Sequence, residues 1–113
     1  MKIVTKKVEN VIIVYPPSWL DLDTSAQFRS RIAKLIDAED ECHLLLNFKD
    51  VKHINSANLS ELIKAKKKLE KSKRAMKMCG VHDKVKDVFE VVNFNTFFEI
   101  FDTEDEALFS FKN

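Results

Sequence analysis

Residues 44–59, LLLNFKDVKHINSANL, carry the pattern that decides the fold. The run at 44–48 is almost wholly apolar and has the length of a strand, which is typical of a strand covered on both faces of a sheet. Small polar residues follow at 55–58, and Leu59 then begins a helical spacing of apolar residues. A buried strand that leads through a polar junction into a helix predicts an α/β domain with a partly parallel sheet.

The same alternation of strands and helices extends to both ends of the chain. The lysine-bearing segment 2–8 predicts an edge strand, and VIIVY at 11–15 predicts a strand buried on both faces. A further strand pattern lies at 75–79, and the short apolar segment 97–101 is expected to be a strand or extended. Helical spacing recurs around Phe28 and in 59–69, 85–92 and 103–111. We therefore predict one α/β domain over residues 1–113, with a central mixed sheet of four to five strands packed by about four α-helices.

Composition excludes several classes of function. The chain has 113 residues, a formal net charge of +1 and one glycine, Gly80. Phosphate-cradling loops need two or three glycines, and a dedicated nucleic-acid binder is usually strongly basic. No apolar run approaches the length of a membrane span, so we expect a cytoplasmic protein without membrane insertion. Cys42 and Cys79 lie 37 residues apart, which is neither a metal-ligand nor a disulfide-framework spacing and predicts buried or half-buried free thiols.

Residues that could support catalysis are scattered along the chain. His43, His53 and His82 have no partner at metal-ligand or nucleophile spacing, so structural or surface roles are favoured. The lysine-rich segment 64–74 has consecutive lysines and no interleaved aromatic residue, which favours a solvated helix surface over nucleic-acid binding. A basic surface that attracts an acidic protein partner is the alternative.

The polar junction at 55–58 contains the most informative residue, Ser56. Asn58 with Glu61 has the spacing of a capping box, and Ser56 is the alternative N-cap of the helix that follows. Thr24 with Gln27 predicts the same motif for the first helix. Besides capping, Ser56 has a functional interpretation as an exposed hydroxyl at the positive end of a helix dipole, where an added phosphate is stabilised.

At this junction the sequence resembles the STAS family (sulfate transporter and anti-sigma factor antagonist). Bacterial anti-sigma factor antagonists of this family carry a strand, a D-S-[ST/A]-G-L turn and a helix, and the matching residues here lie at 44–51 and 54–59. The resemblance continues through 20–24, an L-D-x-x-T segment, 81–92, a helix of spaced Val and Phe, 93–98, the turn after it, and 102–108, a D-x-x-x-E-A-L ending. These five pieces follow the family's order and are spread over residues 20–108.

The resemblance implies a function and a set of site residues. Ser56 holds the place of the family's phosphoacceptor, and Asp21, Asp23, Asn55, Ala57 and Asn58 are expected to form the partner-binding site around it. The implied partners are an anti-sigma factor that is also a serine kinase and a serine phosphatase that acts on the phosphorylated form. ATP and magnesium belong to the kinase, so no cofactor, catalytic residue or metal ligand is expected in this chain.

Two positions depart from the family motif. Asn55 stands where the motif has Asp, and Asn58 stands where it has Gly, which adds a side chain that we expect to project into the docking surface. These departures favour an alternative, a binding or scaffold subunit that works without phosphorylation, for example in a lipid-transporting ABC system. An enzyme of unknown type is a third hypothesis, for which the chain offers no assembled catalytic set.

Overall fold

The computed structural model describes residues 3–38 and 41–112. The chain begins with an antiparallel hairpin of β1 (Val4–Val8) and β2 (Val11–Tyr15), joined through Glu9 and Asn10. Glu9 adopts a left-handed conformation with φ 55°, which a tight turn of this kind requires. β1 lies at the edge of the sheet, as its lysines predict, while Lys2 is outside the described residues.

The main sheet has five strands in the order β1-β2-β4-β6-β7, where β4 is His43–Asn47, β6 is Met76–Cys79 and β7 is Ile100–Phe101. β2, β4, β6 and β7 are mutually parallel, and β1 makes the sheet mixed. The helices are α1 (Leu22–Ala38), α2 (Ser56–Lys71), α3 (Asp83–Val91) and α4 (Glu104–Ser110). The predicted α/β class, with a five-strand mixed sheet and four helices, is thus confirmed.

The two faces of the sheet are covered unequally. Alternate strand residues such as Val14 and Leu46 join the larger apolar cluster with α1, α2 and α3. The intervening residues, such as Ile13 and Leu45, join a smaller cluster under α4. Because strand side chains alternate between faces, this division explains why the central strands are continuously apolar. Cys42 and Cys79 are buried thiols, as predicted.

Two short strands were absent from the sequence-based prediction. β3 (Trp19–Leu20) and β5 (His53–Ile54) pair in parallel to form a second, two-stranded sheet. Each is only two residues long, which is too short for a period-2 pattern to emerge. No helix among the described residues is both long and apolar enough to cross a membrane.

Candidate phosphoacceptor and partner-binding site

The small sheet of β3 and β5 brings two helix starts together. Trp19 is opposite His53 and Leu20 is opposite Ile54 in the parallel register. The register continues one step further, because the Asn55 N–H donates to the Leu20 carbonyl oxygen at 3.1 Å. The next residues, Asp21 and Asn55, directly precede α1 and α2. Pairing of two dipeptides thus places the beginnings of two helices side by side.

Asp21 caps the first of these helices. Its Oδ1 accepts hydrogen bonds from the N–H groups of Asp23 at 3.0 Å and Thr24 at 3.4 Å. In return, the Asp21 N–H donates to Thr24 Oγ1 at 3.1 Å. This is the reciprocal arrangement of a capping box. The predicted box at Thr24 and Gln27 is therefore wrong by one turn, because the helix already begins at Leu22.

Asn55 caps the second helix. Its backbone is extended, with φ −92° and ψ 167°, and its Oδ1 accepts from the Asn58 N–H at 3.0 Å. The same oxygen also accepts from Asn58 Nδ2 at 2.8 Å. The predicted N-caps, Asn58 and Ser56, are both wrong, since the helix begins at Ser56 and Asn58 lies in its first turn. Capping by Asn55 leaves the Ser56 side chain without that structural task.

Ser56 is exposed at the first position of α2. Its hydroxyl forms no hydrogen bond with the residues that the structure describes. The first N–H groups of a helix have no intrahelical acceptor, and the helix dipole is positive there. The position therefore combines an accessible hydroxyl with a local environment that favours added negative charge.

Asn58 lies beneath the junction and not on its surface. Its side chain is 0% exposed, so it adds nothing to the surface that a partner can touch, contrary to the expectation that it projects into the docking surface. Its Nδ2 is satisfied by Asn55, but its Oδ1 has no hydrogen-bond partner among the described residues. A buried acceptor of this kind costs about 1–3 kcal/mol. Asn58 shapes the turn from the inside.

The exposed residues around Ser56 include two that were predicted and one that was missed. Asp23 and Ala57 are exposed, each within the first turn of its helix. Trp19 is 53% exposed and stacks on His53 with ring centroids 4.5 Å apart. Parallel partners point to the same side of a sheet, so this aromatic pair lies on one side of β3–β5. The only sequence signal for it is a lone tryptophan, and its significance depends on the unpredicted pairing of β3 with β5.

The groups with clearly shifted pKa values are found elsewhere in the described structure. Burial, together with the hydrogen bond to Glu104, raises the pKa of Tyr15 to about 12. Burial also raises the pKa of the Cys79 thiol to about 12, with a smaller contribution from Glu104. Burial and the nearby cations Lys77 and Arg74 lower the pKa of His43. The described residues contain no cluster of His, Cys, Asp or Glu suited to a metal ion.

Comparison with known proteins identifies the family. The STAS domain model matches residues 2–107, so the chain belongs to the STAS domain family. No curated protein sequence matches it.

Several solved structures share the fold. A Thermotoga maritima protein assigned as an anti-sigma factor antagonist is 22% identical, with a TM-score of 0.88 over 98% of this chain and 95% of that one. A Planctomyces limnophilus anti-sigma-factor antagonist (STAS) domain protein is 16% identical, with a TM-score of 0.89 over 98% of each chain. The unphosphorylated form of the Bacillus anti-sigma factor antagonist SpoIIAA is 17% identical, with a TM-score of 0.83 over 98% of this chain and 96% of that one. Its phosphorylated form is 16% identical, with a TM-score of 0.71 over 95% and 96%.

Proposed function

We propose that this STAS domain is a phosphorylation-regulated anti-sigma factor antagonist of the cytoplasm. In this proposal the unphosphorylated chain binds an anti-sigma factor that is also a serine kinase, and a phosphate on Ser56 ends that binding. A serine phosphatase removes the phosphate and so restores binding to the kinase. The kinase supplies ATP and magnesium, and this chain contributes a binding surface and an acceptor hydroxyl, with no catalytic role.

The observation that carries the proposal is the placement of Ser56. Its side chain is exposed at the first position of a 16-residue helix, and Asn55 performs the capping. A phosphate at this position gains from the helix dipole and the unpaired N–H groups of the first turn. Phosphorylation can therefore change the surface without breaking any hydrogen bond of the Ser56 side chain within the described structure.

The docking face in this proposal surrounds the acceptor. Asp21 and Asn55 cap the two helix starts, while Asp23 and Ala57 are exposed beside them. Asn58 supports the turn from below. A phosphate on Ser56 brings about −1.5 to −2 charges, and burying such a charge against a partner without compensation is strongly unfavourable. This is the physical reason for the loss of binding.

The decisive experiment uses the kinase encoded nearest to this gene. The purified chain is incubated with that kinase and ATP, and phosphate is located by mass spectrometry. We expect one phosphate on the wild type and on Ser60→Ala, which alters an exposed serine one turn along the same helix. We expect no phosphate on Ser56→Ala, with kinase binding retained, and at least about tenfold weaker binding for Ser56→Asp. If the wild type binds the kinase in the presence of ATP and no phosphate appears on Ser56, the proposed switch is refuted.

A second candidate is a binding or scaffold subunit that works without phosphorylation, for example beside the ATPase of a lipid-transporting ABC system. The observation that favours it is the direct hydrogen bond between Asn58 and Asn55, the two residues that replace the motif Gly and Asp. This candidate predicts a stable complex with the permease or ATPase of such a system. It also predicts that Ser56→Asp binds as strongly as the wild type, the opposite of the first proposal.

A further inference from the structure

Four of the five lysines of α2 occupy one exposed face of the helix. The exposed residues of α2 are Ser56, Ala57, Ser60, Lys64, Lys67, Lys68, Glu70 and Lys71. With 3.6 residues per turn, all of these except Glu70 fall within an arc of about 120°. Lys66 lies on a different side, where it is largely covered and pairs with Glu70 at 3.4 Å. We name Lys64, Lys67, Lys68 and Lys71 the basic strip.

The fold determines which lysines of the run face solvent together. Consecutive residues point in different directions around a helix, but four of these lysines lie on the same exposed face as Ser56. The basic strip therefore continues the surface that carries the acceptor, from the beginning of α2 to its end.

Charge is unevenly distributed along the chain. Residues 56–74 contain seven Lys or Arg and two Glu, whereas the remaining residues contain 12 Lys or Arg and 16 Asp or Glu. Lys64 pairs with Glu61 at 3.5 Å, and Lys68 pairs with Asp37 at 3.1 Å. Lys67 and Lys71 form no ion pair with the described residues. The near-neutral net charge of the chain is therefore the sum of a basic helix region and an acidic remainder.

We propose that the exposed face of α2, from Ser56 to Lys71, is a docking surface for an acidic face of a protein partner. The inference rests on the proposed function in one respect, because a kinase that reaches Ser56 must lie against this face. The face contains no aromatic side chain on which nucleic-acid bases could stack. Its only apolar residue is Ala57, so nothing on it would insert into a membrane. An acidic protein surface is the partner whose charge is complementary to this basic face.

Distance separates the basic strip from the switch at Ser56. At a rise of about 1.5 Å per residue, Lys64 is about 12 Å and Lys71 about 22 Å along the axis from Ser56. The Debye length is about 8 Å at physiological ionic strength, so a phosphate on Ser56 is screened from most of the strip. The strip therefore attracts the partner in both forms of the protein, and the phosphate acts on the contact at the helix start.

The test compares two double charge reversals of equal size. Lys67→Glu with Lys71→Glu alters the basic strip. Lys6→Glu with Lys112→Glu alters exposed lysines near the opposite face, since Lys6 is paired with Ile13 of the cluster under α4. At low salt we expect the first variant to associate with the kinase at least about tenfold more slowly, with a weaker salt dependence, and the second to stay within about twofold. Equal rates for the two variants would overturn the proposal. Lys67→Gln with Lys71→Gln should associate at an intermediate rate. This variant distinguishes the loss of positive charge from the repulsion that the introduced glutamates add.

A second arm does not depend on the kinase. A 16-residue poly-glutamate peptide is titrated into the isotope-labelled protein at low salt, and amide chemical shifts are followed by NMR. We expect shifts along 60–71 that disappear in Lys67→Glu with Lys71→Glu and persist in the Lys6 and Lys112 control. If the wild type does not bind the kinase, the proposed function fails while these shifts still support the acidic-partner surface. Absence of these shifts, or tighter binding of phosphatidylserine vesicles or a single-stranded oligonucleotide to the strip, would overturn it.

Discussion

The contact between Asn55 and Asn58 gives a quantitative prediction about the candidate site. Asn55→Ala removes the N-cap of α2, which costs about 1 kcal/mol. It also leaves Asn58 Nδ2 without its acceptor inside the protein, because that atom donates to Asn55 Oδ1 at 2.8 Å. A buried donor without a partner adds about 1–3 kcal/mol. We expect Asn55→Ala to lower the free energy of unfolding by about 2–4 kcal/mol.

Asn58→Ala should behave differently. It removes one hydrogen bond, worth about 1 kcal/mol, but it also removes the buried Oδ1 that has no partner among the described residues. The two effects oppose each other, and alanine favours the helix more than asparagine does. We expect a change of less than about 1 kcal/mol. In this background Asn55→Ala should cost only the cap, about 1 kcal/mol, so the coupling between the two residues is about 1–3 kcal/mol.

The measurement is a double-mutant cycle by urea unfolding. The free energy of unfolding of each variant is compared using one common slope, m, against urea concentration. Asn55→Asp is the matched control, because a carboxylate can accept the same two hydrogen bonds and is favoured at a helix start. It should be at least as stable as the wild type. An equal cost of Asn55→Ala in both backgrounds would show that the Asn58 side chain does not depend on Asn55. A loss above about 2 kcal/mol for Asn58→Ala would refute the assignment of its Oδ1 as a cost.

Three further predictions concern residues outside this pair. His43 accepts a hydrogen bond from the Ala75 N–H at 2.9 Å and has a lowered pKa, so its protonation opposes folding. The free energy of unfolding should therefore fall as pH drops below the ordinary histidine pKa of about 6.5, and it should fall less in His43→Gln. Urea unfolding at pH 7.5 and 5.5 measures both changes. Burial raises the pKa of the Cys79 thiol to about 12, so a thiol reagent at pH 8 should label it only at the rate of unfolding; labelling as fast as a free peptide thiol would contradict this. Trp19 is the one tryptophan and is half exposed, so kinase binding should protect its fluorescence from acrylamide; unchanged quenching in the complex would place Trp19 outside the interface.

Local sequence signals identified most of the regular elements. The continuous apolar run of β2 is confirmed as a strand buried on both faces, since Val11 to Val14 are all nearly inaccessible. The last helix, predicted from the spacing at 103–111, begins at Glu104, and Thr103 caps it with an Oγ1 that accepts from the Glu106 N–H at 3.2 Å. These features depend on residues that are close in sequence, so period and capping chemistry suffice to predict them.

The remaining features depend on contacts between distant residues. Pairing of β3 with β5 joins residues 19–20 to residues 53–54, and a strand of two residues is too short to be predicted from periodicity. That pairing places Asp21 beside Asn55, and the register then starts α2 at Ser56 and turns Asn58 inward. The sequence by itself determined an α/β domain with a serine at a helix start. Only the tertiary structure decided that Ser56 is exposed, that Asn58 is buried and that the helix face with four lysines is open to solvent, because burial is a property of packed elements and not of their order along the chain.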